Sequence, residues 1–298
     1  MSNRITHRGI VVGADGSPSS RMALRWAARE AEMRNIPLSL IHVIDKPPWA
    51  AMPLGGMAIP VPTETSEHRE MAGNNIIADA VKVIEDSTEV PPEVNTEILL
   101  ATPVSTLVGL SKDAQMMVVG CRGLGMLRRL LLGSVSSGLI YHAYCPVAVI
   151  HGEAPFVLQP SQLPVALGID GSPASELAIA IAFDEASWRG VELIALHAWS
   201  DTDVSDIPSM EWSAQQSRAE EALAERLAGW QERYPDVVVH RRLVWDHPAR
   251  HLIDEAESSQ LMVVGSRGRG GFAGMLLGSV SAAVAQAARA PVIVARPR

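Results

Sequence analysis

The chain has 298 residues, of which 47% are apolar and 19% charged, with a mean hydropathy of +0.13 and a formal net charge of −8. At about 150 residues per domain this length predicts two domains, each large enough to bury its own core. Residues 1–155 hold 13 basic against 15 acidic side chains and residues 156–298 hold 12 against 18, so we expect no nucleic-acid partner.

The chain carries no sign of export or membrane insertion. No segment approaches the ~18 consecutive apolar residues of a membrane span, and the apolar run after the basic N-terminus is too short for a signal peptide. The two cysteines, Cys121 and Cys145, do not make a disulfide framework. We therefore expect a cytoplasmic protein with no integral membrane association.

Predicted strands and helices alternate through the first half. A strand at residues 8–14 precedes a helix from about residue 18, with Ser17 as N-cap and Pro18 in the first turn. The elements that follow are a strand at 38–44, a helix at 64–88, a strand at 94–100, a helix at 103–112, a strand at 115–120, a helix from about 134 and a strand at 146–151. This alternation predicts an α/β fold with a parallel, doubly wound sheet.

The second half repeats the first. "VVGADGSPSS" from residue 11 aligns with "ALGIDGSPAS" from residue 166, and "QMMVVGCRG" from residue 115 aligns with "QLMVVGSRG" from residue 260. The extra length of the first half falls in a Pro- and Gly-rich loop at 45–63, which is expected to make the two copies unequal. We predict domains at 1–152 and 163–298, joined by a linker at about 153–162.

Both halves contain the same glycine loop between an apolar strand and a helix. Its spacing matches neither the dinucleotide fingerprint nor the P-loop, and no lysine follows the last glycine. One interpretation is a tight turn with a serine as helix N-cap. The other is a cradle in which amides, hydroxyls and the helix N-terminus hold an anion, and the duplication favours it. The marker residues are Gly120, Gly123, Gly133 and Ser134 in one copy and Gly265, Gly268, Gly278 and Ser279 in the other.

Two further loops meet the glycine loop at the carboxyl edge of the predicted sheet. One follows strand one, which ends in "GADGS" or "GIDGS", and the other follows strand two, which ends in "HVI" or "HAW". Asp15 and Asp170 directly follow the first strand of each copy, where a carboxylate either forms an Asx-turn or accepts hydrogen bonds from a ligand. We favour the ligand role, because neighbouring serines can cap the next helix. Arg122 and Arg267 either add charge to the anion site or are solvated.

The histidines favour structural roles. His42 and His197 lie inside apolar strands and are expected to be core residues bonded to the backbone. His247 and His251 are four residues apart, but no third ligand accompanies them, so we predict no metal site.

These motifs resemble the universal stress protein family in its tandem, two-domain form, and the chain is similar to actinobacterial, including mycobacterial, members. The G-x2-G-x9-G-[S/T] pattern is specific for the ATP-binding branch. The resemblance implies Rossmann-like five-stranded domains of strand order 3-2-1-4-5. It also implies one ATP in each half, with Mg²⁺ bound through the phosphates, a role in stress responses such as dormancy and hypoxia, homodimer formation and an unidentified protein partner.

The resemblance also assigns roles to residues. Asp15 and Asp170 would hold the ribose or adenine end, the backbone of Val43 and Ala198 would read the adenine, and the glycine loops would take the phosphates. The full set of expected nucleotide-binding residues is Gly13, Asp15, Val43, Gly120, Arg122, Gly123, Gly133, Ser134, Val135 and Ser136, with Gly168, Asp170, Ala198, Gly265, Arg267, Gly268, Gly278, Ser279, Val280 and Ser281 in the second half.

Binding is better supported than turnover. The sequence shows no nucleophile elbow, no repeated carboxylate pair, no Walker lysine and no separate acidic magnesium ligand. We therefore predict a non-enzymatic, nucleotide-binding regulator with at most slow ATP hydrolysis. Two alternatives stay open: an adenylating enzyme of the ATP pyrophosphatase type, whose glycines however follow strand one rather than strand four, and a scaffold with empty sites.

Overall fold

In the computed structural model the chain divides into two compact units, residues 1–152 and 153–297. The structure describes residues 9–45, 63–123, 132–151, 162–199, 209–268 and 276–297. The predicted linker, except for its last residue, and most of the predicted 45–63 loop lie outside these ranges.

The N-terminal unit alternates five strands with four helices. They are β1 (Ile10–Gly13), α1 (Pro18–Arg34), β2 (Leu38–Ile44), α2 (Thr63–Glu85), β3 (Val94–Leu100), α3 (Pro103–Leu110), β4 (Met116–Gly120), α4 (Ser134–His142) and β5 (Val147–Ile150). The sequence predicts the type and order of every one of these elements correctly, and the bounds differ from the predicted ones by a few residues at most.

The C-terminal unit repeats the same series. Its elements are β6 (Val165–Ile169), α5 (Pro173–Arg189), β7 (Leu193–Trp199), α6 (Ser209–Arg233), β8 (Val239–Trp245), α7 (Pro248–Ala256), β9 (Leu261–Gly265), α8 (Ser279–Ala287) and β10 (Val292–Ala295).

Each unit is built on a parallel sheet. The strand order is β3-β2-β1-β4-β5 in the N-terminal unit and β8-β7-β6-β9-β10 in the C-terminal unit, and every pairing within these sets is parallel. This confirms two doubly wound α/β units of order 3-2-1-4-5. The central strands are apolar throughout because helices cover both faces.

Helix α1 shows how local sequence places these elements. Ser17 accepts a hydrogen bond from the backbone N–H of Ser20, Pro18 occupies the first turn, and Asn35 closes the helix in the left-handed conformation. An alanine-rich face of α1, including Ala23, Ala27 and Ala31, is buried against the sheet. Small side chains allow the helix to lie close to the strands, which matters for the loops at the sheet edge.

Candidate functional site at the carboxyl edge of each sheet

The strand order reverses beside the first strand of each unit. β1 lies between β2 and β4, so the chain leaves β1 in one direction and later returns on its other side. In open α/β sheets the loops at such a point separate and leave a crevice outside the carboxyl ends of the strands. The loops after β1 and β4 flank this crevice.

The turn after β1 holds an aspartate in a defined conformation. The backbone N–H of Ser17 donates to Oδ1 of Asp15 at 2.9 Å, and the turn passes through Gly16 at φ 79°, a conformation that favours glycine. The Asx-turn is therefore present. It occupies one carboxylate oxygen, so it does not exclude a ligand role for the other. The C-terminal unit repeats this turn with Asp170, Gly171 and Ser172.

Ala14, the residue before this aspartate, is held by hydrogen bonds through both its N–H and its carbonyl group. The N–H of Ala14 donates to Ile41 at 2.9 Å, and Nδ1 of His42 lies 2.7 Å from the Ala14 carbonyl oxygen. Because a carbonyl can only accept, Nδ1 of His42 carries the proton. His197 makes the same contact with Ile169 at 2.6 Å. The prediction that these histidines bond to the backbone is confirmed, and the contact positions the aspartate that follows.

Strand β2 runs past the end of β1. The pairing between them ends with Gly13 opposite Ile41, whereas β2 continues to Ile44. The carbonyl of Ile41 points towards the β1 side, and alternate residues of a strand direct their backbone groups to the same side. The N–H and C=O of Val43 are therefore directed into the crevice beyond β1. Ala198 has the matching position on β7, one residue past the last β6–β7 pair.

The first glycine of each glycine loop is required by packing. A Cβ at residue 120 would lie 2.6 Å from the backbone carbonyl carbon of Ser19, and one at residue 265 would lie 2.9 Å from that of Ala174. The first turn of α1, or of α5, crosses the end of the strand at these points. Gly120 and Gly265 thus have a structural role, because they allow the helix to lie close to the end of the strand.

The second glycine faces the aspartate. A Cβ at residue 123 would lie 2.5 Å from Oδ2 of Asp15, and one at residue 268 would lie 2.5 Å from Oδ2 of Asp170. The loop after β4 and the turn after β1 therefore converge as the sequence predicts. In both copies the second carboxylate oxygen lies against the glycine loop.

The two ends of the glycine loop are joined to each other and to the turn. The N–H of Gly133 donates to Cys121 at 2.8 Å, and the hydroxyl of Ser17 donates to the carbonyl of Arg122 at 3.4 Å. In the C-terminal unit Gly278 donates to Ser266 at 2.8 Å, and the Ser172 hydroxyl donates to Arg267 at 2.8 Å. The residues between these ends, 124–131 and 269–275, lie outside the described ranges.

The helix after the loop begins without a side-chain cap. The N-cap of α4 is Gly133 and that of α8 is Gly278, and neither has a side chain to accept from the first turn. The interpretation that Ser134 or Ser279 caps the helix is therefore wrong, because both serines are the first helical residues. The first-turn N–H groups have no partners within the helix, and free N–H groups at a helix N-terminus are the donors with which proteins can bind an anion.

The serine hydroxyls of this turn differ in availability. Ser134 and Ser279 are exposed. The hydroxyl of Ser136 is buried and donates to the carbonyls of Cys121 and Gly133 at 3.1 and 3.0 Å, and that of Ser281 donates to Gly265 at 2.5 Å. The hydroxyls of Ser136 and Ser281 therefore hold the loop against the helix.

The structure also places the two arginines of the glycine loops and the histidine pair that was considered as a metal site. Arg122 is half-buried and Arg267 exposed. His251 Nε2 lies 3.3 Å from the carbonyl of Trp245, while His247 lies beside Asp246. Within the described ranges no three His, Cys, Asp or Glu side chains are grouped as metal ligands, and no helix there combines the length and apolar character needed to cross a bilayer.

The serine of each turn has a role beyond the one that the sequence predicts. Ser17 and Ser172 are predicted as helix caps, and they also tie the turn to the glycine loop. Their signal was the repetition of the whole "DGSP" tetrapeptide in both halves, which a capping role alone does not require.

Comparison with known proteins gives consistent matches along the chain. The family model described as "Universal stress protein family" matches residues 6–151 and 164–296. A universal stress protein of Mycobacterium tuberculosis H37Rv is 55% identical over 298 residues, covering 99% of each chain. One from Mycolicibacterium smegmatis is 50% identical over 302 residues, covering all of both chains. A universal stress protein structure from Archaeoglobus fulgidus, 21% identical, matches 98% of this chain and 97% of its own with a TM-score of 0.71, which supports the fold. The chain belongs to the universal stress protein family.

Proposed function

We propose that this protein is a stress-response regulator that binds one ATP in each half, with at most slow hydrolysis. The observation that carries the proposal is the same in both halves. An aspartate carboxylate oxygen lies against a glycine loop, and that loop leads into a helix whose first turn has no side-chain cap. A hydrogen-bond acceptor beside an anion site suits a ligand with hydroxyls at one end and phosphates at the other.

The strand edge supplies the third part of a nucleotide site. The N–H and C=O of Val43 point into the crevice beside Asp15, at the register position that Ala198 repeats. A paired donor and acceptor on one backbone edge can recognise the N1 and N6 positions of adenine. The phosphates would then lie at the N-terminus of α4, held by the N–H groups of Ser134, Val135 and Ser136.

We infer that the site holds ATP and does not turn it over efficiently. The helix N-terminus supplies partial positive charge to the phosphates. We expect Mg²⁺ to arrive bound to the ATP phosphates. A regulator that holds ATP would report its occupancy through the loops at the sheet edge.

Both cysteines, Cys121 in the glycine loop and Cys145, are free and buried thiols. Free thiols suit the reducing cytoplasm, where we propose that the protein acts.

Calorimetry of the purified chain tests the proposal, together with mass spectrometry of any ligand released by acid. We expect two ATP molecules per chain. Gly123→Ala and Gly268→Ala should each remove one of them, because the new Cβ displaces the facing carboxylate. Gly229→Ala, in a helix with nothing within 4 Å of the new methyl group, is the matched control and should retain both.

Other outcomes identify the alternatives. Absence of ATP binding up to millimolar concentration would contradict the proposal and favour a scaffold with empty sites. Stoichiometric release of pyrophosphate in the presence of acceptor substrates would favour the adenylating enzyme. Retention of both ATP molecules by the two glycine variants would show that the nucleotide lies elsewhere.

A further inference from the structure

The two halves differ in what covers the aspartate turn. In the N-terminal unit Ile76 of α2 lies over Gly16. Its Cγ1 is 3.4 Å from the position that a Cβ would take at residue 16. In the C-terminal unit Arg226 of α6 covers Gly171, and its Cζ, Nη2 and Nη1 lie 2.7, 2.7 and 2.8 Å from the corresponding position. Because these distances are nearly equal, the guanidinium plane lies flat on the glycine.

The ion pairs beside the two turns have opposite polarity. Arg226 Nη1 lies 2.8 Å from Oε1 of Glu176, which belongs to the first turn of α5. In the N-terminal unit the cation is instead on the first helix, where Arg21 lies 4.0 Å from Asp79 and both side chains are mostly exposed. Among the residues that the structure describes, a charged group that links the neighbouring helix to the turn is therefore found in the C-terminal unit and not in the N-terminal one.

A second contact shows the same asymmetry. The serine that ties the turn to the glycine loop donates at 2.8 Å in the C-terminal unit, between Ser172 and Arg267. The corresponding distance between Ser17 and Arg122 is 3.4 Å, at the limit of a hydrogen bond. The turn that carries Asp170 is thus restrained by the loop on one side and by the Arg226 guanidinium on the other.

We propose that Arg226 is a positioning residue that pre-organises the C-terminal site, so that the C-terminal half binds nucleotide more tightly than the N-terminal half and fills first. This inference depends on the proposed nucleotide function. A glycine turn at φ 77° has much freedom to lose on binding, and restraining it before the ligand arrives lowers that cost. At any nucleotide concentration below saturation the C-terminal site is then the more occupied of the two.

Variants that keep only one intact site test which half binds ATP more tightly. In Gly123→Ala only the C-terminal site reports ATP binding, and in Gly268→Ala only the N-terminal site does. We expect the dissociation constant of the C-terminal site to be about two- to fivefold lower, the range that one partly exposed ion pair can supply. Equal constants, or tighter binding by the N-terminal site, would overturn the inference while leaving the nucleotide function intact. No binding in either half would overturn both.

Variants of the ion pair separate positioning from simple stabilisation. In the Gly123→Ala background, Arg226→Ile should raise the dissociation constant to that of the N-terminal site. The double exchange Glu176→Arg with Arg226→Glu keeps an ion pair between α5 and α6 but removes the guanidinium from Gly171. It should restore the unfolding temperature and not the affinity. Restored affinity would show that the ion pair between the helices, and not the guanidinium on Gly171, sets the affinity, and would overturn the inference.

The N-terminal unit provides the matched control. Arg21→Ala breaks the corresponding ion pair, whose cation does not cover the turn. In the Gly268→Ala background it should leave the dissociation constant of the N-terminal site unchanged. A loss of affinity equal to that of Arg226→Ile would mean that any ion pair between these helices has the same effect.

Discussion

Gly120 and Gly123 lie three residues apart, and a side chain at the one would meet a different obstacle from a side chain at the other. At Gly120 the nearest obstacle is the backbone of α1, which cannot move without shifting the helix, whereas at Gly123 it is the end of the Asp15 side chain. The first glycine therefore allows the helix and the strand to pack closely. The second keeps space beside a carboxylate.

This difference predicts opposite phenotypes for two identical substitutions. Gly120→Ala should lower the free energy of unfolding by about 1–3 kcal/mol, the cost of overpacking a close contact. Gly123→Ala should change it by less than about 0.5 kcal/mol, as exposed sites usually do, and impair ATP binding instead. Urea unfolding followed by tryptophan fluorescence checks both, and equal stability of the two variants would contradict the assignment.

The serine caps give a second contrast at the residue scale. Ser17 accepts from the N–H of Ser20 at 3.1 Å and is buried, whereas Thr102, the N-cap of α3, makes no such side-chain bond. Ser17→Ala should therefore cost about 1 kcal/mol of unfolding free energy, and Thr102→Ala clearly less. Denaturation of the two variants side by side measures the difference. A larger effect at Thr102 would refute the capping role.

At the scale of elements, the helix after the first strand buries an ion pair in both units. Glu30 and Arg34 of α1 lie 3.0 Å apart and Glu185 and Arg189 of α5 lie 2.9 Å apart, with both carboxylates almost fully buried. Burial lowers the pKa of Arg189 to about 10, which reflects the cost of placing a cation there. The carboxylate of Glu185 offsets that cost, so the two charges depend on each other.

Removing one partner should therefore lower the free energy of unfolding much more than removing both. We expect Glu185→Gln to lower the unfolding free energy by about 3–5 kcal/mol, and Glu185→Leu with Arg189→Met to be nearly neutral or stabilising. Asp254→Asn, which removes the exposed Arg250–Asp254 pair at 3.9 Å, is the control and should have no measurable effect. A mild Glu185→Gln phenotype would show that water or another group solvates Arg189.

In the whole molecule, each unit contains its own candidate site, because the contacts given above for the described residues join residues of the same unit. Ligand binding should then stabilise each unit through its own site. At 100 times the dissociation constant the gain is about 2.7 kcal/mol.

Hydrogen exchange resolves this gain by unit. With saturating ATP, we expect Gly123→Ala to lose the added protection in residues 1–152 only, and Gly268→Ala in residues 153–297 only. Loss of protection in both units from one substitution would show that the two sites are energetically coupled.

Much of this architecture follows from local pattern. The alternation of strands and helices, the caps at Ser17 and Ser172, and the duplication are all visible in the sequence. The sequence pattern also predicts at which sheet edge the candidate site lies, because the carboxyl ends of parallel strands lie on the same side of a sheet. Prediction was less successful where one residue type can serve two purposes, as at Gly120 and Gly123, and at Ser134, where the cap is the glycine one residue earlier.

Periodicity and spacing along the chain are sufficient to predict a tandem α/β repeat in which a duplicated glycine loop meets a duplicated aspartate at the sheet edge. Long-range packing, in contrast, sets which glycine meets backbone and which meets a carboxylate, and it turns the Ser136 hydroxyl into the fold. The contact by which Arg226 covers Gly171, 55 residues earlier in the chain, where Ile76 covers the matching turn of the other half, is likewise tertiary. Such contacts join segments far apart in the chain, and their geometry is set by how closely helix and sheet pack.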